Sequence, residues 1–597
     1  MAHTDIISPQ EAPTLYALLK ERVRRTPQGK AYCYCNKVSG EWLTLSWQEA
    51  LHQVERWRSA LAGEKLSPGD RIALLLPNCP EWIYFDMAAQ SLGLIVVPLY
   101  VNDRPENIGY ILQDTASKLF LCPGTTCWEN LAPVFNQLES LQRIITIDFC
   151  HHIQDDKRIT CISDWLPQEA QGPPEVDISP DDTATIVYTS GTTGAPKGVM
   201  LSHHNILDNA YTGLQCIDIF PSDLFLSFLP LSHMLERCAG YYMPMMSGAT
   251  TAFARSIPDL VEDICHIRPT ALVAVPRIFE RIHSKLQHEL DGKPPAVKRL
   301  FETAVQLGWQ KFEIGQHRAK WSPAQLLQPL TDLLVAKKVR AKLGGRIRVI
   351  VCGGAPLSAD IAKIFIGLGL PIYQGYGLTE TSPVISVNTP DHNVPASVGR
   401  PLSSFEVKIG PGDELLARGP SVMLGYWNRP EATAETIEPG GWIHTGDKAK
   451  IIDDHIYITG RIKDVIVLSN GEKVSPSEVE QAISLDPLFE QTMVVGEGKP
   501  YLVLLAVLAR DRWEMLAEEI GVASDASALH QEVVQRVILS RVEKMLHALP
   551  GPTFVKHAVL SLEPWTVEGG LLTPTMKMKR KNIMTHLQDE IDKIYAD

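Results

Sequence analysis

The sequence predicts a two-part fold: a large N-terminal α/β domain of layered sheets and helices, followed by a small α+β C-terminal domain. Two observations carry this. First, short β-branched runs alternate with helical stretches and Pro/Gly breaks through most of the chain, the pattern of largely parallel layered sheets. Second, composition changes near Gly460-Arg-Ile-Lys-Asp464, where closely spaced strand runs and an amphipathic helix begin. A chain of 597 residues also exceeds one ordinary domain. The division is expected at residues 1–460 and 461–597.

In order along the chain, Leu15, Leu18, Leu19 and Val23 sit at helical spacing, ended by Pro27. Strand runs follow at Arg71–Leu76, Ser91–Val101 and Lys118–Cys122. The acidic, Pro-rich stretch Gln171–Asp181 reads as a surface loop. Thr183–Tyr188 is a β-branched strand running into Thr189-Ser-Gly-Thr-Thr-Gly-Ala-Pro-Lys197, and apolar periodicity resumes at Val199, Leu201 and Ile206. Strand, Gly-rich loop, then helix is the expected order, the context in which a loop wraps phosphate. Gly191 and Gly194 let backbone N–H groups approach anionic oxygens. Thr189, Ser190, Thr192 and Thr193 add hydroxyls, and Lys197 adds a cation. It is not a Walker A loop, because Pro196 stands where that motif needs glycine.

Further on, Arg346–Cys352 is a strand ending in Gly353-Gly354-Ala355-Pro356. Pro371–Tyr373 leads into Gln374-Gly375-Tyr376-Gly377-Leu-Thr379-Glu380. Two strand ends with small residues beside a phosphate loop make a nucleotide crevice. In the C-terminal part, Val465–Leu468 and Glu472–Val474 flank Asn470-Gly471, a hairpin signal. Gln491–Val495 and Tyr501–Leu508 read as strands, and Val533–Leu546 as an amphipathic helix.

These strings, in this order from about Leu15 to Ile583, resemble the AMP-forming acyl-activating enzymes, and most of all the bacterial long-chain fatty acid–CoA ligases. The resemblance implies activation of a carboxylate by ATP to acyl-AMP, then transfer to the thiol of CoA. It implies Mg2+ held by Glu380 and Thr189, an α-phosphate contact at Thr379, a catalytic and ATP-binding role for Thr193, and adenine held by Gly353–Pro356 and Gln374–Tyr376, with Tyr376 stacking and Gly377 also at the ATP. Asp447 would accept the ribose hydroxyls with Arg461 nearby. Lys577, in Thr573-Pro-Thr-Met-Lys-Met-Lys-Arg580, would be the catalytic ammonium, with Lys579 and Lys581 as alternative registers. The usual preceding glycine is Met576 here. The C-terminal domain would be a mobile lid pivoting at Lys463 and Asp464, bringing Gly471 and Lys473 to the thiol acceptor.

The acyl pocket is expected from His233, Gly240, Tyr241 and Arg277, in segments similar to the long-chain members. Arg237 stands where some relatives carry a tryptophan gate, so no such gate is expected. Two rivals remain open: a ligase loading a carrier protein's phosphopantetheine, and a pseudoenzyme that binds without turnover. Chain length and oligomeric state are not legible.

Composition narrows the setting. A net charge of -13 argues against a general nucleic-acid binder. The scattered cysteines suit a reducing, cytoplasmic compartment. Neither a signal peptide nor a run of ~20 apolar residues is present. Residues 284–346 depart from the acidic whole, with twelve Lys/Arg against five Asp/Glu. Amphipathic helices are expected there, broken at Pro294-Pro295 and Pro323, forming a basic face for an anionic membrane surface.

Overall fold

The computed structural model describes residues 4–135, 138–148, 156–189, 196–547, 555–573 and 575–596. Two large sheets and one small sheet build the N-terminal part. A 9-stranded sheet runs, in spatial order, Arg400–Pro401, Val384–Val387, Ile372–Gly377, Val349–Cys352, Ala271–Ala274, Leu224–Ser227, Thr250–Phe253, Lys30–Cys35 and Trp42–Ser46. Its central pairings are parallel, for example Ala271↔Val349 and Ile350↔Ile372, while both edges are antiparallel. An 8-stranded sheet contains Ile95–Pro98, Arg71–Leu74, Leu119–Cys122 and Thr183–Thr189. Helices fill the space between the sheets, and Trp47, Trp57 and Trp82 are fully buried there. A 4-stranded antiparallel sheet, including Ile443–Ile452 and His455–Arg461, follows.

The C-terminal residues make separate cores. Leu502–Leu508 is buried at every position, because helices cover one face and the 565–595 segment the other. Its neighbours are Phe489–Val495, antiparallel, and Val555–Ser561, parallel. The helix Glu532–Leu546 buries Val534, Ile538, Val542 and Leu546, the i, i+4 stripe of an amphipathic helix. Asn470-Gly471 lies in the turn between the paired strands Ile466–Val467 and Lys473–Val474. Gly471 has φ +83°, a left-handed value that glycine adopts without strain. Among the described residues, no helix is long and apolar enough to cross a membrane.

The structure corrects one expected order. Lys197–Ser202 is a strand antiparallel to Thr183–Thr189, with Val187↔Val199 and Thr189↔Lys197 in register. The helix begins only at His203, capped by the Ser202 hydroxyl accepting from the Asn205 N–H. The Gly-rich stretch therefore joins two strands and does not sit at a helix N-terminus. Val199 and Leu201 are buried on either side of the half-buried Met200, a spacing of two that belongs to a strand.

Candidate active site

A cleft of about 2820 Å³ runs between the C-terminal end of the strand Ile372–Gly377, the 4-stranded sheet and the C-terminal part. Its polar end gathers most of the residues singled out in the sequence. Asp447 leaves the strand Ile443–Ile452 buried, with both carboxylate oxygens engaged. Oδ2 accepts from the Tyr376 hydroxyl at 2.6 Å and Oδ1 from Arg461 Nε at 3.0 Å. Burial and the Asp447 charge push the Tyr376 phenol well above its ordinary value, so it stays a donor. Gly377 is required by close approach, since a Cβ there would stand 1.8 Å from the Pro383 carbonyl oxygen.

Gln374 lines the cleft, but its amide is consumed by the protein. Its Oε1 accepts from Leu357 N at 2.7 Å, and its Nε2 donates to the Pro395 and Ser397 carbonyls at 3.1 and 3.3 Å. It ties the Gly353–Pro356 turn to the 395–397 loop and so sets the width of the crevice. Gly353–Pro356, Gly375, Thr189 and Thr379 face the same space.

Glu380 sits in a short turn after that strand. Its Oε1 accepts from the Tyr426 hydroxyl at 2.8 Å, and the Lys197 ammonium lies 4.8 Å from the centre of the Tyr426 ring. Tyr426 is thus the hub joining a carboxylate to the cation of the Gly-rich loop, a role the sequence alone did not suggest. Ser190, Gly191, Thr192, Thr193 and Gly194 lie outside the described residues.

Across the cleft, the 572–578 loop presents Lys577. Thr573 and Lys577 hold it closed, Thr573 N donating to the Lys577 carbonyl at 2.8 Å and Lys577 N to the Thr573 hydroxyl at 3.0 Å. Met576 takes φ +62°, which explains why glycine is usual there. Solvent reaches the Lys577 ammonium through the open cleft, yet protein surrounds it. Desolvation and the Arg461 charge lower its pKa, while Asp447 and Glu380 oppose that. Arg580, also unforeseen, anchors this loop to the C-terminal core. It pairs with Glu480 at 2.7 Å and donates to the Val494 carbonyl at 2.6 Å. The Lys577-Met-Lys-Arg580 string was its only sequence signal. Of the alternative registers, Lys579 faces Asp103 and Arg104 instead of the Asp447–Glu380 cluster.

The apolar end of the cleft is lined by Leu214, Ile217, Phe225, Ala239, Met243 and Val351. His233 stands where the two ends meet, its Nδ1 accepting from Leu235 N at 3.2 Å. Enclosure by protein and the Lys577 charge lower its pKa to about 3, so the ring is neutral.

Gly240 and Tyr241 are not brought to the cleft. A Cβ on Gly240 would meet Glu236 Oε1 at 2.3 Å, and Tyr241 packs edge-on against Trp82 in the core. A π-helical stretch spans Arg237–Tyr242, and Leu235, Ala239 and Met243 line the cavity instead. Arg237 is fully buried. It pairs with Asp86, donates to Thr185 Oγ1 and the Tyr242 hydroxyl at 2.9 Å each, and lies over the Trp82 ring. It is a core brace, not a gate.

Arg277 opens the helix Pro276–Asp291 and lines the cleft at the seam between the two parts, 3.9 Å from Glu490. Gly471 and Lys473 are exposed and do not line the cleft, whereas Lys463 and Asp464 do, in the turn that follows Arg461.

The chain is similar to known proteins along almost its whole length. The AMP-binding enzyme family matches residues 19–427 and the AMP-binding enzyme C-terminal domain residues 463–597. Fatty acyl-CoA synthetase A of Dictyostelium discoideum is 30% identical, over 94% of this chain and 86% of that protein. A long-chain-fatty-acid–CoA ligase of Mycobacterium tuberculosis is 28% identical over 94% of both chains. The adenylation domain of a carboxylate reductase from Mycobacterium chelonae superposes with TM-score 0.78 at 22% identity, covering 98% of this chain and 91% of that one. An AMP complex of the Segniliparus rugosus carboxylic acid reductase gives 0.76 at 23%, covering 99% and 84%. The chain belongs to the AMP-binding enzyme family.

Proposed function

We propose that this protein is an AMP-forming long-chain fatty acid–CoA ligase. The observation that carries the reading is the joining of an apolar channel to a polar end where Lys577, Glu380 and Asp447 converge, with His233 at the junction. The names of the similar proteins, fatty acyl-CoA synthetases and long-chain-fatty-acid–CoA ligases, support it.

In the first half-reaction the fatty carboxylate oxygen attacks the α-phosphorus of ATP, and pyrophosphate leaves. Lys577 brings positive charge to the point where carboxylate and phosphate charge gather, and closure of the cleft around its substrates would protect the acyl-AMP from water. Asp447 receives the ribose hydroxyls and Tyr376 flanks the base, with Arg461 keeping the Asp447 carboxylate oriented. Glu380, whose Oε1 is held by Tyr426, would bind Mg2+ together with Thr189, and that ion would neutralise phosphate charge. In the second half-reaction the CoA thiolate attacks the acyl carbonyl and AMP departs. Rotation at Lys463 and Asp464 would withdraw Lys577 and bring Gly471 and Lys473 to the thiol.

The deciding experiment is an assay with palmitate, ATP, Mg2+ and free CoA in the absence of any carrier protein. Palmitoyl-CoA and AMP are the expected products. Acyl-AMP that accumulates and moves only to a phosphopantetheinyl carrier would replace CoA as acceptor.

The protein is proposed to be cytoplasmic and to meet its fatty acid at an anionic bilayer through residues 284–346. Trp321, Leu326, Leu327, Leu330, Leu333 and Leu334 are between 41% and 74% exposed, beside exposed Lys320, Lys337 and Lys338. Arg340 and Lys342, by contrast, pair with Asp332 and Glu289. Changing Leu326, Leu330 and Leu333 to Ser should abolish co-sedimentation with anionic vesicles. Undiminished binding would remove this ridge from contact with the membrane.

A further inference from the structure

Arg104 and Lys579 face one another across the seam of the cleft, one from each part of the chain. Arg104 precedes the helix Pro105–Asp114, and its guanidinium lies against the C-terminal backbone, since a Cβ on Gly570 would sit 3.3 Å from Nη1. Lys579 is held beside the same glycine by its backbone N–H donating to the Leu571 carbonyl at 2.9 Å. Both side chains line the cleft.

Among the described residues, neither charged group donates a hydrogen bond or makes an ion pair. Arg104 Nε is shielded from solvent without a partner. Asp103 is the nearby acid, but its Oδ1 already accepts from Arg104 N at 2.9 Å and Asn107 Nδ2 at 2.7 Å. Desolvation first, and then the Arg104 charge, depress the Lys579 ammonium.

Two cations with spare donors that approach each other in a cleft are the signature of an anion site. Location selects the anion. The helix that starts at Pro105 carries Tyr110, whose hydroxyl donates to the Pro196 carbonyl at 3.4 Å, immediately before Lys197. The pair lines the same cleft as Thr189, Pro196 and Lys197, the described residues that flank the stretch read as phosphate-binding.

We propose that Arg104 and Lys579 form a two-sided clamp for the pyrophosphoryl end of ATP, complete only while Lys577 points into the cleft. This rests on the adenylation reading above. Bound phosphate cancels the repulsion between the two cations and so favours the arrangement that makes acyl-AMP. Departure of pyrophosphate restores the repulsion and favours separation of the two walls.

The test is calorimetric binding of inorganic pyrophosphate to the full-length protein, comparing wild type with Arg104→Gln, Lys579→Gln and Lys579→Arg. Each Gln variant should weaken binding roughly tenfold, the worth of one charge-assisted contact, with Lys579→Arg retaining it. Binding of adenosine 3′,5′-bisphosphate, the nucleotide end of CoA, should not change. Neither side chain supports the fold, so melting temperatures should stay level. Equal pyrophosphate affinity in all four proteins overturns the clamp, as does weakening confined to the bisphosphate, which would assign the cations to CoA. Acyl-AMP formation from palmitate is followed alongside. Its absence in a wild-type protein that still binds pyrophosphate through these residues would reject the ligase reading and leave the clamp standing.

Discussion

The carboxylates of one wall of the cleft and the ammonium groups of the other are held in opposite ways. On the N-terminal wall each carboxylate has a protein partner in place: Asp447 has Tyr376 and Arg461, and Glu380 has Tyr426. On the C-terminal wall Lys577 and Lys579 have loops that hold their backbones and no hydrogen-bond partner for their ammonium groups among the described residues. The first wall is organised before any ligand arrives, which reduces the ordering cost of binding. The second keeps its cations unsatisfied, so their strongest interactions are made with whatever the cleft receives. A receiving wall and a delivering wall are what alternation between two half-reactions requires.

The largest expected effect tests the delivering wall. Lys577→Ala should slow acyl-AMP formation on the order of 10²-fold or more, the worth of one positioned charge at a developing anion. Thioester formation from supplied acyl-AMP should fall far less. Single-turnover pyrophosphate release and acyl-CoA formation measure the two separately. Equal loss in both would mean that Lys577 belongs to the receiving wall. Loss on Lys579→Ala that matches or exceeds it would shift the catalytic register.

The receiving wall also includes the apolar channel proposed for the acyl chain. Ala239→Leu adds three carbons to its lining, and the preferred acid should shorten by about two or three methylenes, each worth ~0.8 kcal/mol. Competition among acids of 8 to about 18 carbons reads this directly. An unchanged profile would place the chain elsewhere.

This channel shows where sequence stopped being sufficient. Asp447, Glu380 and Lys577 were legible because each is embedded in a short string whose neighbours define it. Gly240 and Tyr241 were expected in the pocket from the likeness of their segment to the long-chain members, and such a likeness does not say which faces of a π-helical stretch turn inward. The strand Lys197–Ser202 was not legible, since Val199, Leu201 and Ile206 fit either period over so few residues. Arg237 could be read as not a gate. Its partner Asp86 stands 151 positions away, and only the fold brings them together.

A smaller effect is expected at the seam. Arg512 in the C-terminal part pairs with Asp291 at 2.8 Å, and Arg277 approaches Glu490 at 3.9 Å. The Arg512 guanidinium holds the Asp291 carboxyl below its usual range. Asp291 is substantially exposed, so the pair is worth at most about 1 kcal/mol. Arg512→Ala should therefore slow adenylation by no more than about fivefold and leave or raise the rate of thioester formation. Parallel slowing of both half-reactions would show that the pair serves the fold and not the orientation of the walls.

The smallest expected effect lies behind the receiving wall, at His444, three residues before Asp447. Its Nδ1 is 2.8 Å from Glu414 Oε2 and its Nε2 3.0 Å from Glu438 Oε1, while Glu414 Oε1 accepts from Gly446 N at 2.9 Å. The hydrogen bond to Glu414, opposed by partial burial and reinforced by Glu438, raises the His444 pKa above its ordinary value. A group whose pKa is raised on folding contributes stability that is fully present below its unfolded pKa of about 6.5. That contribution is lost as pH rises through the raised folded value. His444→Gln should therefore lower the melting temperature near pH 6, and the difference should shrink as pH rises through the raised folded value. With the side chain about one-third exposed, the difference should stay below ~1 kcal/mol. Melting curves of the two proteins across this range give the comparison, because titrations elsewhere are common to both. A constant offset at every pH would mean that the Glu414–His444 contact braces the Asp447 turn by shape alone, without the charge.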